Sequence, residues 1–362
     1  MPILALSLLL ITLLVSPLGA APGGDMEPLK LTLQESIDRA LRNNPEVTLA
    51  QLARDKAKVG LSQARDAARA IDEQHAFNYE LGKVKWVYPK QAQNAADLAD
   101  QAYQYSIDGL KLLVEKSYYD LLKAQRTLDN KNEALKRAEE MLRVANSKYS
   151  VGTVPRTEVL NAEVRLAQAQ AELTLAGSSL DTAMLNFNQT VGIPLGQKVT
   201  LVEDFGFVPF DELDINQFVE ESLQKQIPVL QARSAWEVKQ VQLETAGKYY
   251  STSVYSYKLA EIEANEAEQN YVKTQNSIRL AIMQNYSSLL GARDRIRVLE
   301  KSLEQARENV RLANLRYEVG LGTNLEVLEA AGALNDTQAA YLEALYNYNL
   351  CKARFKYQIF TS

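Results

Sequence analysis

The stretch Tyr149-Ser-Val-Gly-Thr-Val-Pro-Arg-Thr-Glu-Val-Leu160 returns later in the chain as Tyr317-Glu-Val-Gly-Leu-Gly-Thr-Asn-Leu-Glu-Val-Leu328. The correspondence runs upstream without a gap, so that Arg143, Ala145 and Asn146 match Arg311, Ala313 and Asn314. A weaker match joins Asn44-Pro45-Glu46-Val47 to Gln226-Ile227-Pro228-Val229. Self-similarity of this kind decides the architecture before any local reading does. The chain holds two copies of one unit, each with a Val-Gly turn near its middle.

Both sides of each turn carry heptads. Leu121, Leu128, Leu135, Leu142 and Tyr149 recur every seventh residue, as do Leu289, Ile296, Leu303, Val310 and Tyr317. Beyond the turns the rhythm resumes in Val159, Leu166, Leu173, Leu180 and Phe187, and in Val327, Leu334, Tyr341, Tyr348 and Phe355. A seven-residue repeat held this long predicts helices wound about each other. A companion row is small: Ala162, Ala169, Ala176 and Ala183, then Ala330, Thr337, Ala344 and Cys351. Cys351 thus fills a small-residue slot.

Punctuation sets the element boundaries. Thr32-Leu-Gln-Glu35 is a capping box that starts a short helix, and Pro45 opens a second helix running to about Ala70. A very long helix is predicted from about Gln91 to Ser150, ended by Gly152. A return helix spans about Pro155 to Gln189. Gly192-Ile-Pro-Leu-Gly196 breaks the pattern, and a Phe- and Pro-containing linker follows. The second copy repeats the plan, with its long helix ending at Val319 and its return helix near Tyr357. The expected organisation is residues 1–21 as a signal peptide, 22–191 as the first repeat, 192–213 as the linker and 214–362 as the second repeat. The fold class is all-α: duplicated antiparallel coiled-coil hairpins forming a tube, with at most a short β-hairpin per repeat.

The leader assignment rests on Ile3 to Val15. This is an apolar run of roughly 13 residues, suited to a signal-peptide core and short of a bilayer span. Small residues follow at Gly19, Ala20 and Ala21, and no Lys or Arg precedes Lys30.

Composition narrows the function classes. Charged residues make up 23% of the 362-residue chain and net charge is -5, which gives no electrostatic footprint for nucleic acid. With Cys351 and His75 the only residues of their types, a cysteine zinc site, a multi-His metal site and an intramolecular disulfide are all excluded. No phosphate-binding loop, nucleophile elbow or dinucleotide fingerprint appears. The reading is therefore a non-enzyme without cofactor or metal.

The ordered set of words resembles the TolC family of outer-membrane efflux proteins. It comprises Leu31-Thr-Leu-Gln-Glu-Ser-Ile-Asp-Arg-Ala-Leu41, Asn44-Pro45 and the two Tyr-x-Val-Gly…Glu-Val-Leu turns. The resemblance covers about Leu31 to Phe355. It implies a homotrimeric tube of hairpins acting as a passive export conduit. It implies a periplasmic adaptor at the hairpin tips, an inner-membrane pump beyond it, and a β-barrel in the outer membrane. By position, Val151, Gly152, Thr153, Val319, Gly320 and Leu321 are the adaptor-contacting residues. Glu326 and Glu329 are the carboxylates that narrow the pore, where the family usually carries Asp.

Two readings stay open for Glu326, since Thr323-Asn-Leu-Glu326 is also a capping box. Apolar Val151, Val319 and Leu321 at an exposed tip favour a partner contact. The candidate barrel segments are Phe77 to Tyr88, where apolar residues alternate about Gly82 in a stubby hairpin, and the shorter Tyr249 to Tyr257. Each falls below the length of a membrane-spanning hairpin. Two readings of membrane contact follow: a channel whose barrel is stunted or replaced, or a barrel-less tube from a cell whose envelope needs no outer-membrane pore. The rival class is a barrel-less envelope scaffold or tether with no lumen.

Overall fold

A computed structural model describes residues 28–204, 206–211 and 213–360. The expected signal peptide lies outside the described residues. In chain order the elements are β1 (Leu29–Leu31), α1 (Leu33–Asn43), α2 (Pro45–Arg69), α3 (Tyr79–Gly82), α4 (Tyr88–Ser150), α5 (Arg156–Val191), β2 (Val199–Leu201), α6 (Ile215–Leu223), α7 (Ile227–Tyr249), α8 (Tyr255–Glu318) and α9 (Asn324–Tyr357). The all-α class holds.

The two long helices dominate. α4 has 63 residues and α8 has 64. At 1.5 Å per residue each is roughly 95 Å long. No helix among the described residues is long and apolar enough to cross a membrane. Each long helix must therefore bury one stripe against neighbours along its whole length. α4 packs on α5 within its own hairpin, on α2 at its start, and on α9 and α7 of the other repeat. α8 packs on α9 and α7. The heptad rows supply the contacts: Leu121, Leu289, Ile296, Phe187, Tyr348 and Phe355 are buried at the seams.

A waist thickens the rod where the short elements gather. Thr32 and Glu35 cap α1 reciprocally, as their spacing predicts (Thr32 N–H to Glu35 Oε2, 2.9 Å). β1 and β2 pair in parallel, Leu29 opposite Val199, and tie the segment before α1 to the segment after α5. Asn188 holds that segment by donating to the carbonyls of Leu195 (3.0 Å) and Gln197 (2.8 Å). Gly192 ends α5 at φ 75°, and a Cβ there would lie 2.8 Å from the Asn43 Cβ. In the second repeat Phe207, Phe210, Phe218 and Phe360 close over Phe355 and Tyr348 instead. Cys351 borders this cluster, and burial raises its thiol pKa, which keeps it protonated and unreactive.

The strand expectation for residues 77–88 and 249–257 is overturned. α3 and a π turn over Lys83–Val87 run directly into α4, so the chain is helical from Tyr79 onward. Pro89 explains the π turn: it lacks an N–H, and the ladder widens just before it. Tyr79 and Trp86 pack against Tyr249 and Tyr250 of the other repeat, and Gly82 lets Tyr249 approach so closely that an added Cβ would meet its ring at 2.5 Å. Alternation over so few residues does not distinguish a strand from a helix. Tyr249 likewise ends α7, and a turn leads to α8 at Tyr255.

Ile296→Ala removes a fully buried knob from the α8 seam and is expected to cost about 2–4 kcal/mol. Gly192→Ala forces a side chain into the left-handed region against Asn43 and is expected to cost about 1–3 kcal/mol. Urea unfolding followed by circular dichroism measures both.

Candidate functional site

The hairpin tips lie at one end of the rod. Each long helix ends the same way, because its heptad stops at a Val-Gly pair. Gly152 and Gly320 both sit at φ 76°, where a side chain would be strained. Their N–H groups, and those of Thr153 and Leu321, turn back onto the last carbonyls of α4 and α8. Val151, Val319 and Leu321 stand exposed at these turns. The six residues assigned to adaptor contact therefore occupy two equivalent turns in each chain.

Glu326 and Glu329 lie in the first turns of α9. The Thr323 hydroxyl accepts from the Glu326 N–H at 3.2 Å, so Thr323 does cap the helix. The Glu326 carboxylate, however, turns toward Arg316, with Nη2 3.9 Å away. Glu329 is exposed.

A cross-hairpin contact at the tip joins residues that the sequence reading did not pair. The Tyr317 hydroxyl donates to Glu158 Oε2 at 3.3 Å. Lys148 Nζ lies 3.5 Å from the centroid of the Tyr317 ring and also donates to the Tyr317 carbonyl. Asn324 donates to the Glu158 carbonyl at 3.5 Å. The tip of the second hairpin is thereby fastened to that of the first. Burial, reinforced by the Glu158 carboxylate, pushes the Tyr317 pKa up to about 12. The duplication held a pointer to this contact: Glu158 is the counterpart of Glu326, and Tyr317 that of Tyr149. The two tyrosines differ in burial, since Tyr317 is 6% exposed and Tyr149 46%.

The outer membrane efflux protein family model matches residues 80–192 and 252–354, one segment in each repeat and more than half of the chain. The chain belongs to the outer membrane efflux protein family. It is a component of an outer-membrane efflux channel, placed in the outer membrane and periplasm of the cell envelope. Nodulation protein T of Rhizobium leguminosarum bv. trifolii is 23% identical over 308 residues, covering 72% of this chain and 66% of that protein. Outer membrane protein TolC of Vibrio cholerae is 22% identical over 400 residues, covering 91% and 90%. Among solved structures, the outer membrane protein VceC of Vibrio cholerae superposes with a TM-score of 0.74 at 16% identity, over 89% of this chain and 94% of that one. The outer-membrane channel OprN superposes at 0.75 and 12% identity, over 91% and 90%. At such identities these structures speak for the fold.

Tyr317→Phe deletes the bond to Glu158 but keeps the ring beneath Lys148. The expected loss is about 0.5–1.5 kcal/mol, confined to the tip. Amide exchange in the first turn of α5 should quicken while exchange at the waist stays unchanged. A tyrosine pKa raised on folding gives stability that is complete below pH 10, the unfolded value, and is lost as pH climbs toward 12. An alkaline titration of melting temperature should therefore fall less steeply between those values in Tyr317→Phe than in the parent chain.

Proposed function

We propose that three copies of this chain close head to tail into a tube that conducts exported solutes passively across the envelope. The Val-Gly tips seat on a periplasmic adaptor, which joins the tube to an inner-membrane pump. In this reading Val151, Gly152, Thr153, Val319, Gly320 and Leu321 form the adaptor contact. Glu326 and Glu329 each recur three times about the axis and make a carboxylate ring that favours cations. The channel performs no chemistry of its own.

The observation that carries the reading is a half-used duplication. Within the chain, α4 of the first repeat packs against α9 of the second. The seam holds Lys123 to Glu343, Arg137 to Asn335 (2.7 Å) and Lys356 to Glu115 (3.2 Å). Exchanging the repeats gives a mirror seam of α8 against α5. Inside one chain those helices meet at the tip, where Tyr317 reaches Glu158. By the duplication, the mirror of Glu115, Lys123 and Arg137 is Met283, Gly291 and Gln305 on α8. The mirror of Asn335 and Glu343 is Ala167 and Leu175 on α5. These five are exposed, while the sixth, Asn188, the mirror of Lys356, is buried at the waist. A second copy, rotated to continue the same packing, covers them, and repeated heterologous contacts close into a ring. The number three comes from the family.

The mirror seam is uncharged where the internal seam is ionic, so assembly should tolerate high salt. Leu175→Glu places a charge in the mirror seam at a position exposed in the single chain. It is expected to leave chain stability within about 0.5 kcal/mol of the parent and to abolish the trimer. Light scattering decides. A trimer mass that falls to a monomer in Leu175→Glu supports the conduit. A monomer or an open filament for the parent chain favours the lumen-less scaffold.

A further inference from the structure

The end of the rod opposite the Val-Gly turns carries two helical bends, one from each repeat, and they meet. The Tyr249 hydroxyl donates to the Ala76 carbonyl at 2.5 Å. The Tyr79 ring lies 5.3 Å from that of Tyr250, and Trp86 lies 6.5 Å from Tyr249. Lys248 Nζ sits 3.6 Å from the centroid of the Trp86 ring. These aromatics pack the bends together. Others do not pack: Phe77 is 77% exposed and Tyr255 89%, with Val254 exposed beside it.

Tyr249 to Tyr257 reads Tyr-Tyr-Ser-Thr-Ser-Val-Tyr-Ser-Tyr, and Ala76 to Tyr79 reads Ala-Phe-Asn-Tyr. Neither run holds a charge, in a chain where 23% of residues are charged. Charges resume just below, in Asp72, Glu73, the Lys83–Glu80 pair (2.8 Å), Lys85 and Lys248. A tip immersed in water has no reason to shed charge and keep tyrosine, phenylalanine and hydroxyls. The headgroup zone of a bilayer selects that composition, because such side chains have an apolar body and a polar end.

We propose that this apex docks on the surface of a phospholipid bilayer, with Phe77, Val254 and Tyr255 at headgroup depth, and seats the end of the tube on the outer membrane, the two bends themselves not crossing it. Family membership places a membrane at one end of the molecule. The long helices put this apex roughly 95 Å from the Val-Gly turns. A spanning strand needs about 9–11 extended residues, whereas both segments here are helix and turn. A protein partner fits less well: each bend offers one protruding aromatic, far below the about 800 Å² per side of a standard interface. The docking rests on outer-membrane membership and not on ring closure, although a trimer would present six bends at once and gain avidity.

The test uses protein-free vesicles of phosphatidylethanolamine and phosphatidylglycerol, with oligomer mass measured on the same samples. In a Trp236→Phe background Trp86 is the sole tryptophan, since the chain has 2. Lipids brominated near the headgroup should quench it, whatever the chain's N-terminal segment does. The triple variant Phe77→Ser, Val254→Ser, Tyr255→Ser should lose that quenching and bind vesicles about tenfold more weakly, at unchanged mass and helicity. Leu195→Ser, an exposed apolar change at the waist, should behave as the parent. Absence of quenching in the parent overturns the proposal. So does equal quenching in the triple variant, or association with native outer-membrane vesicles but not with protein-free ones, which would point to a protein partner.

Discussion

A helix of more than sixty residues has an apolar stripe far longer than any core this chain can build, and the structure follows from covering it. Partners must run alongside for the whole length. The first is the return helix of the same hairpin, delivered by the left-handed glycine at each Val-Gly turn. The second is the other repeat, because duplication supplies a matching hairpin in the same chain. Ile296, Leu289, Leu121 and Tyr348 are buried for this reason. No single one is decisive; each seam is a sum of similar knobs.

The waist and the tips solve different problems on that rod. At the waist, side chains fix loops that the heptads cannot fix: Asn188 gathers the segment after α5, and Tyr118 accepts from the Glu203 N–H at 3.1 Å. At the tip, Tyr317, Glu158 and Lys148 fasten hairpins whose apolar rows have run out. The tip bonds are few and partly solvated, so they contribute little and break readily. A tip held by a few hydrogen bonds and one cation over a ring can loosen while the waist, with its buried Phe187 and Phe355, stays intact.

Much of this was legible in the residues. Seven-residue periodicity and the repeated turn dictate long paired helices whatever the surroundings, and the Thr32–Glu35 cap is a local interaction with a local signature. The apex was misread because alternation about Gly82 suits a strand as well as one face of a short helix. What settles it is Tyr249, far away in sequence, filling the space that Gly82 leaves. The Tyr317–Glu158 contact was missed for a related reason: it crosses between hairpins, and periodicity is silent about pairs so distant. The duplication did place Glu158 opposite Glu326 in the alignment of repeats. The local capping reading of Glu326 holds for its N–H, while its carboxylate turns to Arg316.

The central claim is that the internal seam is continued by a copy of the chain. Cysteine cross-linking in a Cys351→Ala background tests it most directly. Gln305→Cys with Ala167→Cys marks the mirror seam; Arg137→Cys with Asn335→Cys marks the internal one. Oxidation should join the first pair between copies, in a ladder that stops at the trimer, and the second pair within one chain. A first pair that never cross-links, or a ladder that climbs without stopping, would contradict the closed tube.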